Sequence, residues 1–314
     1  MKITTKAMPM AFFIVFVLFC DVFGQNPKKT ASDLIKNWLY SSSNEVTQKE
    51  LIKGLSKDKI FTVTNLIHET LTDSIFDVRW KCFSLASLIG STNNTETVKS
   101  EIVSIMLKGM FDNDSRIVFF ASENLSEIKV SNYSDSQKDT LVKLLENINN
   151  PNILVTLYRV CGENRIYESE DLLQTVAFSN DVPFFQRWVA LASLTRLGNN
   201  EAEEKMHGYL TRIGLSLDAI NTLYPYVMFS RSNKNVGYLI DQIKNNEAGC
   251  ESSNPDFTDQ IPCAYHILKV VAPEIEELNW TGKNSLENLA IKESLLKARE
   301  ILVRIDDKWK FKTE

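Results

Sequence analysis

An all-α protein assembled from a succession of similar helix pairs is what this 314-residue sequence predicts. Three observations predict it. Strand signals are scarce: no alternating Val, Ile and Thr runs are joined by Asn-Gly or Asp-Gly turns. Apolar residues recur instead at three- and four-residue spacing, in segments of roughly 12–18 residues. Turns rich in Asn, Ser and Asp separate them. One pattern also returns: RWKCFSLASLIG (Arg79–Gly90) lies over RWVALASLTRLG (Arg187–Gly198) without a gap. Arg79 matches Arg187, Trp80 matches Trp188, and Gly90 matches Gly198.

The chain opens with Lys2 and Lys6 and an apolar run from Ala7 to Cys20. That is the grammar of a secretory signal, 1–24, cut between Gly24 and Gln25, with Val22 two residues upstream. As a helix this apolar run rises about 21 Å, short of a hydrocarbon core of about 30 Å. An uncleaved anchor is therefore disfavoured, as is lipidation at Cys20, because Phe19 is bulky where such signals want a small residue. Export to periplasm, envelope or medium is the expectation, with no membrane span in the mature chain. Removing 1–24 takes away Lys2, Lys6 and Asp21, so the formal charge goes from −5 to −6. That acidic balance, without a basic block, excludes nucleic acid as the expected partner.

Residues 25–60 are expected to cap the array with helices, Thr47 and Glu50 forming a capping box at one start. Helical repeats follow over 61–275. DSRIVFFASENLSEI (Asp114–Ile128) is a looser third copy, with Asp114 and Arg116 over Asp77 and Arg79. NPNILVTLYRVCGEN (Asn150–Asn164) is a fourth, without the Arg. The intervals are 37 residues from Arg79 to Arg116, 38 on to Leu154 and 33 on to Arg187. A second amphipathic segment follows each copy, and Asn200 with Glu203 marks one helix start. Gly90 and Gly198 stand where C-terminal caps belong. LDAINTLYPYVMFSR with NVGYLIDQIKNN makes a further pair, and so does CAYHILKVVAPEIEEL with a long helix from Ser285 to about Lys310. Residues 276–314 are read as the C-terminal cap, with Leu289, Leu296, Leu302 and Val303 on its apolar side.

Helix pairs with the Asp77/Arg79 and Asp114/Arg116 spacing, the small face of Ala86, Ala190 and Ala192, and the Ile89–Gly90 and Leu197–Gly198 endings resemble HEAT repeats. The resemblance covers about residues 45–275 and is of an exported bacterial type. It implies an armadillo-like α-solenoid, a right-handed superhelix of about five to seven antiparallel pairs. It also implies that the Asp and Arg residues ladder between neighbouring pairs, and that the small residues let helices approach.

Four cysteines remain after residue 24. Cys250 and Cys263 bracket the polar loop ESSNPDFTDQIP and are expected to form a disulfide, worth about 3 kcal/mol on the loop-entropy model. Cys82 and Cys161 sit in apolar helical patterns and read as small buried hydrophobes.

Catalytic grammar is missing. HETLT at His68 begins like a zinc-protease helix, but Thr72 stands where the second ligand must be. DNDSR at Asp112 starts like a calcium loop, yet Arg116 takes its fifth position and Ile117 replaces the turn glycine. Adjacent carboxylates such as Glu203–Glu204 diverge around a helix and read as solvated charges. Asn-x-Ser/Thr acceptors occur at Asn93, Asn113, Asn124, Asn132 and Asn279. The expectation is a monomeric, exported, non-catalytic scaffold with no cofactor. It would hold a protein or peptide on a concave face lined by second helices, Lys143 and Glu204 among them. The alternatives are an accessory subunit of an exported enzyme, or an enzyme whose site is assembled from distant residues.

Overall fold

The computed structural model describes residues 31–41, 57–92, 95–250, 262–275, 291–305 and 310–311. The Gly24–Gln25 junction, the Thr47–Glu50 capping box, Asn93, Asn279 and much of both expected end caps lie outside the described residues. Among the described residues every named element is a helix, and the one isolated bridge joins Gly249 and Pro262. Helices pack in sequential pairs, and the chain divides into two compact units, 1–124 and 125–314.

The first unit holds α1 (Ala31–Tyr40), α2 (Lys57–Thr70), α3 (Phe76–Thr92), α4 (Glu96–Gly109) and most of α5 (Ser115–Glu127). α1 packs on α2 and α3, and α2 packs on α3 and α4. Val63, Ile67, Phe83, Leu85, Ile102 and Met106 are almost fully withdrawn from water. A small residue matters at Gly109, where a Cβ would stand 2.6 Å from Phe83 Cε1. Gly90 does not cap α3. It is buried inside the helix, which runs on to Thr92. The hydroxyls of Ser91 and Thr92 both bond back to the Leu88 carbonyl in the last turn.

The second unit holds α6 (Asp135–Asn147), α7 (Pro151–Glu163), a 3-10 turn at Tyr167–Ser169, α8 (Glu170–Phe178), α9 (Phe184–Arg196) and α10 (Asn200–Ile213). α11 (Leu217–Thr222), α12 (Tyr224–Ser230), α13 (Asn233–Asn245), α14 (Cys263–Val271) and α15 (Ile291–Arg304) complete it. First helices stack on first helices: α7 on α9, α9 on α12, α12 on α14. Second helices do the same, α10 on α13 and α13 on α15. This two-row order is how pairs that cannot bury their own apolar faces make a continuous core.

Side-chain caps start these helices where the sequence is polar. Ser134 forms a full capping box with Gln137, and Asn150, Ser216 and Ser232 each accept from backbone N–H groups in the first turn. Such caps are worth about 1 kcal/mol each. The cap of α10 is Asn199, one residue earlier than the expected Asn200. The shift comes from Gly198, which takes φ 96°. Gly198 donates to the Thr195 carbonyl and Asn199 to that of Leu194, the paired bonds of a Schellman ending. Gly198 is thus the cap that Gly90 is not.

LDAINTLYPYVMFSR, expected as one helix, is two. Pro225 has no N–H and its ring clashes with the preceding turn, so α11 ends at Thr222 and α12 begins at Tyr224.

The expected Cys250–Cys263 disulfide is not formed; the two sulfurs are not at bonding distance. The loop between them is closed by backbone instead. Gly249 bridges Pro262, and the Cys263 N–H donates to the Ala248 carbonyl at 3.1 Å. Both side chains then pack as small core hydrophobes. Cys82 and Cys161 are fully buried as expected, and burial pushes each thiol up to about 12. Since the thiolate is the nucleophile, neither should react with iodoacetamide in the native protein, and both should react in guanidinium chloride. Mass spectrometry of tryptic peptides reads this; native labelling of either at the rate of a small-molecule thiol would contradict the packing.

Candidate binding groove

Side-chain bonds between helices recur at about one repeat. Arg79 to Asp112 spans 33 residues, Trp188 to Leu223 spans 35, and Arg196 to Phe229 spans 33. The ladder implied by the Asp/Arg spacing exists once, with a different acid. Arg79 grips Asp112 through two bonds, 2.8 and 3.0 Å, and also donates to the Asp73 carbonyl. Asp112 lies three residues before α5. In the turn before α7 that position is Ile148, and in the turn before α11 it is Gly214. Arg116 therefore folds back on Asp114 at 2.7 Å and sits 3.9 Å from the Phe76 ring centroid. Its guanidinium holds the Asp114 carboxyl down to about 2. Asp77 stays exposed. Arg187 lies over Phe184, its buried Nε without an acceptor among the described residues.

The two tryptophans diverge as well. Trp188 is fully buried and its indole N–H donates to the Leu223 carbonyl at 2.9 Å. Trp80 is half-buried against Phe76 and Phe120.

An open groove of about 810 Å³ lies in the row of first helices, where α7, α9, α11 and α12 meet. It sits at the break made by Pro225, which lines it with Asn221, Thr222 and Leu223. Phe184 and Phe185 begin α9 and form another wall, with Tyr226 and Phe229 from α12. Phe185 is 40 % exposed and meets Tyr226 edge to face at 5.5 Å. Arg196 braces Phe229, donating to its carbonyl at 2.7 Å. Arg159, from α7, supplies the groove's charge. Burial pushes the Tyr226 phenol up, and the nearby Arg159 guanidinium opposes that only in part. The volume falls in the range of ligand pockets, and the walls are largely aromatic. Its polar members are an amide, a guanidinium, the Tyr226 phenol and the Thr222 hydroxyl, the last already committed to the Asp218 carbonyl at 2.5 Å.

The row of second helices, where the sequence places the binding face, is polar and cross-linked. Ser232 donates to Glu203, His207 Nδ1 pairs with Asn235 at 3.0 Å, and Lys138 pairs with Glu168 at 3.0 Å. Lys234 pairs with Glu204 and holds that carboxyl below its usual range. Lys143 is exposed on the same row. His68 belongs to a similar strap in the first unit. Its Nε2 meets Glu101 at 2.5 Å and its Nδ1 meets Lys108 at 2.9 Å, so both ring nitrogens are engaged. The carboxylates of the calcium-like stretch serve Arg79 and Arg116. No three His, Cys, Asp or Glu side chains converge as a metal site among the described residues, and no helix there is long and apolar enough to cross a membrane. No family model matches this sequence, and comparison with curated proteins finds no match.

Proposed function

We propose that this chain is an exported, non-catalytic repeat protein, a solenoid of HEAT type, that holds a protein or peptide partner on its helical array. The observation that carries the reading is the bonding of successive pairs, as far as α13, at about 28 to 40 residues. Stacking of that kind builds a long surface rather than a closed pocket. The open groove is lined for contact, with aromatic rings, amide and guanidinium, which supports binding over turnover. Export rests on the signal-like 1–24 stretch.

Affinity capture of the mature chain from its native envelope or medium is the test. One partner should be recovered in stoichiometric amount, and substitutions on the row that holds it should abolish recovery while the helical CD spectrum persists. Lys143→Glu probes the second-helix row, and Phe185→Ala probes the first. Recovery unaffected by either, with turnover of an exported-hydrolase substrate that survives repurification, would overturn the reading. An activity change in a recovered enzyme on reconstitution would narrow the role to an accessory subunit.

A further inference from the structure

The groove beside Pro225 says more about what it holds. This step rests on the partner-binding reading and deepens it. We propose that the groove takes an extended peptide segment of the partner, with a carboxylate on Arg159 and flanking apolar side chains on Phe185, Tyr226 and Phe229.

Charge decides the first half. Arg79, Arg116 and Arg196 each have an acceptor, respectively Asp112, Asp114 and the Phe229 carbonyl. Arg159 lines the groove half-buried and has no acceptor among the described residues. A guanidinium among aromatic walls is partly stripped of water, and the partner its planar fork fits best is a carboxylate, bound through two parallel bonds. The protein is acidic overall, at −5. General attraction of acids is therefore weak, and selection of a carboxylate is a local property of this groove.

The walls decide the second half. Phe185 keeps 40 % of its surface in water although Tyr226 is against it, so an apolar side chain laid there removes aromatic surface from solvent. Asn221 lines the groove and brings an amide to it, a group that pairs with peptide backbone N–H and C=O groups alike. An apolar–acidic–apolar segment with its own backbone donors meets all three features. A compact aromatic acid meets only the first two.

Panning a random peptide-display library against the full chain, then measuring selected peptides by fluorescence anisotropy, tests this. Selected sequences should carry Asp or Glu between aliphatic or aromatic residues. Changing that acid to its amide should weaken binding about tenfold or more. Arg159→Gln should weaken the acidic peptide by a similar factor and no longer distinguish it from the amide form. Phe185→Ala should weaken both forms equally. Selection without acids, or equal affinity for the parent protein and Arg159→Gln, overturns the assignment. So does displacement of the peptide by millimolar phenylpropionate with both amide and acid forms otherwise binding alike, which would make the groove a small-acid site. Partner capture that survives both Arg159→Gln and Phe185→Ala would remove the groove and leave the array reading standing. Peptide binding without any capturable partner would do the reverse.

Discussion

Trp188→Ala is expected to destabilise the protein by about 3–5 kcal/mol, the range for losing a large, fully buried aromatic. Trp188 has no exposed surface, so little relaxation can fill the space it leaves. Two losses combine. The indole's packing between the first helices disappears, and the Leu223 carbonyl loses the donor at 2.9 Å. That carbonyl also accepts the Tyr226 N–H at 3.1 Å, so losing the indole removes one of its bonds without leaving it bare. Trp188→Phe separates the two, keeping much of the ring while removing the N–H, and should cost about 0.5–1.5 kcal/mol for the bond, clearly less than Trp188→Ala. Trp80→Ala is the control within the same repeated pattern. Its ring is half-buried, and its loss should cost clearly less than that of Trp188. Urea titrations followed by far-UV CD rank the three. A Trp188→Ala protein within 1 kcal/mol of the parent would mean that the pairs around α9 hold together some other way.

The second large effect is at Arg79. Its side chain is 14 % exposed and that of Asp112 is 6 %, and the two share a pair of parallel bonds. Removing either partner strands the other charge in a site from which water is largely excluded. Arg79→Met or Asp112→Leu alone should each cost about 2–3 kcal/mol, as for hydrogen bonds to charged groups. The double variant should cost less than the sum of the two, because no charge is left behind. Arg116→Met, whose side chain is 66 % exposed, should change stability little. Additive losses in the double variant would show that Arg79 and Asp112 do not act through each other.

These contrasts explain what could be read from the chain. Pair order was legible because helical periodicity and capping are local: Asn150 before Pro151, or Ser134 three residues before Gln137, show themselves in four letters. The recurrence of Arg, Trp and Gly was legible too, but equivalence in sequence did not carry equivalence in role. Gly198 turns the chain at φ 96°, whereas Gly90 is buried inside a helix that runs on to Thr92. Arg79 finds an acid and Arg187 does not, because that depends on a residue one repeat later, Asp112 in one case and Gly214 in the other. In DNDSR either aspartate could be the rung, and only the packing of α3 near that turn selects the first. The groove was the least legible feature. Arg159, Phe185 and Tyr226 come from three helices and meet only after stacking. One local mark pointed there, the proline inside LYPY.

The far end of the second unit breaks the one-repeat rule. Arg299 donates to the carbonyls of Ile243 and Asn246, across 56 and 53 residues, and so serves the end of α13 from α15. The Asn233 side-chain amide exchanges two bonds with the Phe311 backbone, across 78 residues. This has a meaning in time during synthesis. At about 5–20 residues per second, Arg79 waits only a few seconds for Asp112 to be made. Asn233 waits about 4–16 seconds for Phe311. The earlier pairs can therefore consolidate as they emerge, each one repeat behind the ribosome. The last pairs stay provisional until the C-terminal segment arrives, and a ribosome stalled before Phe311 would display α13 with its start unclasped.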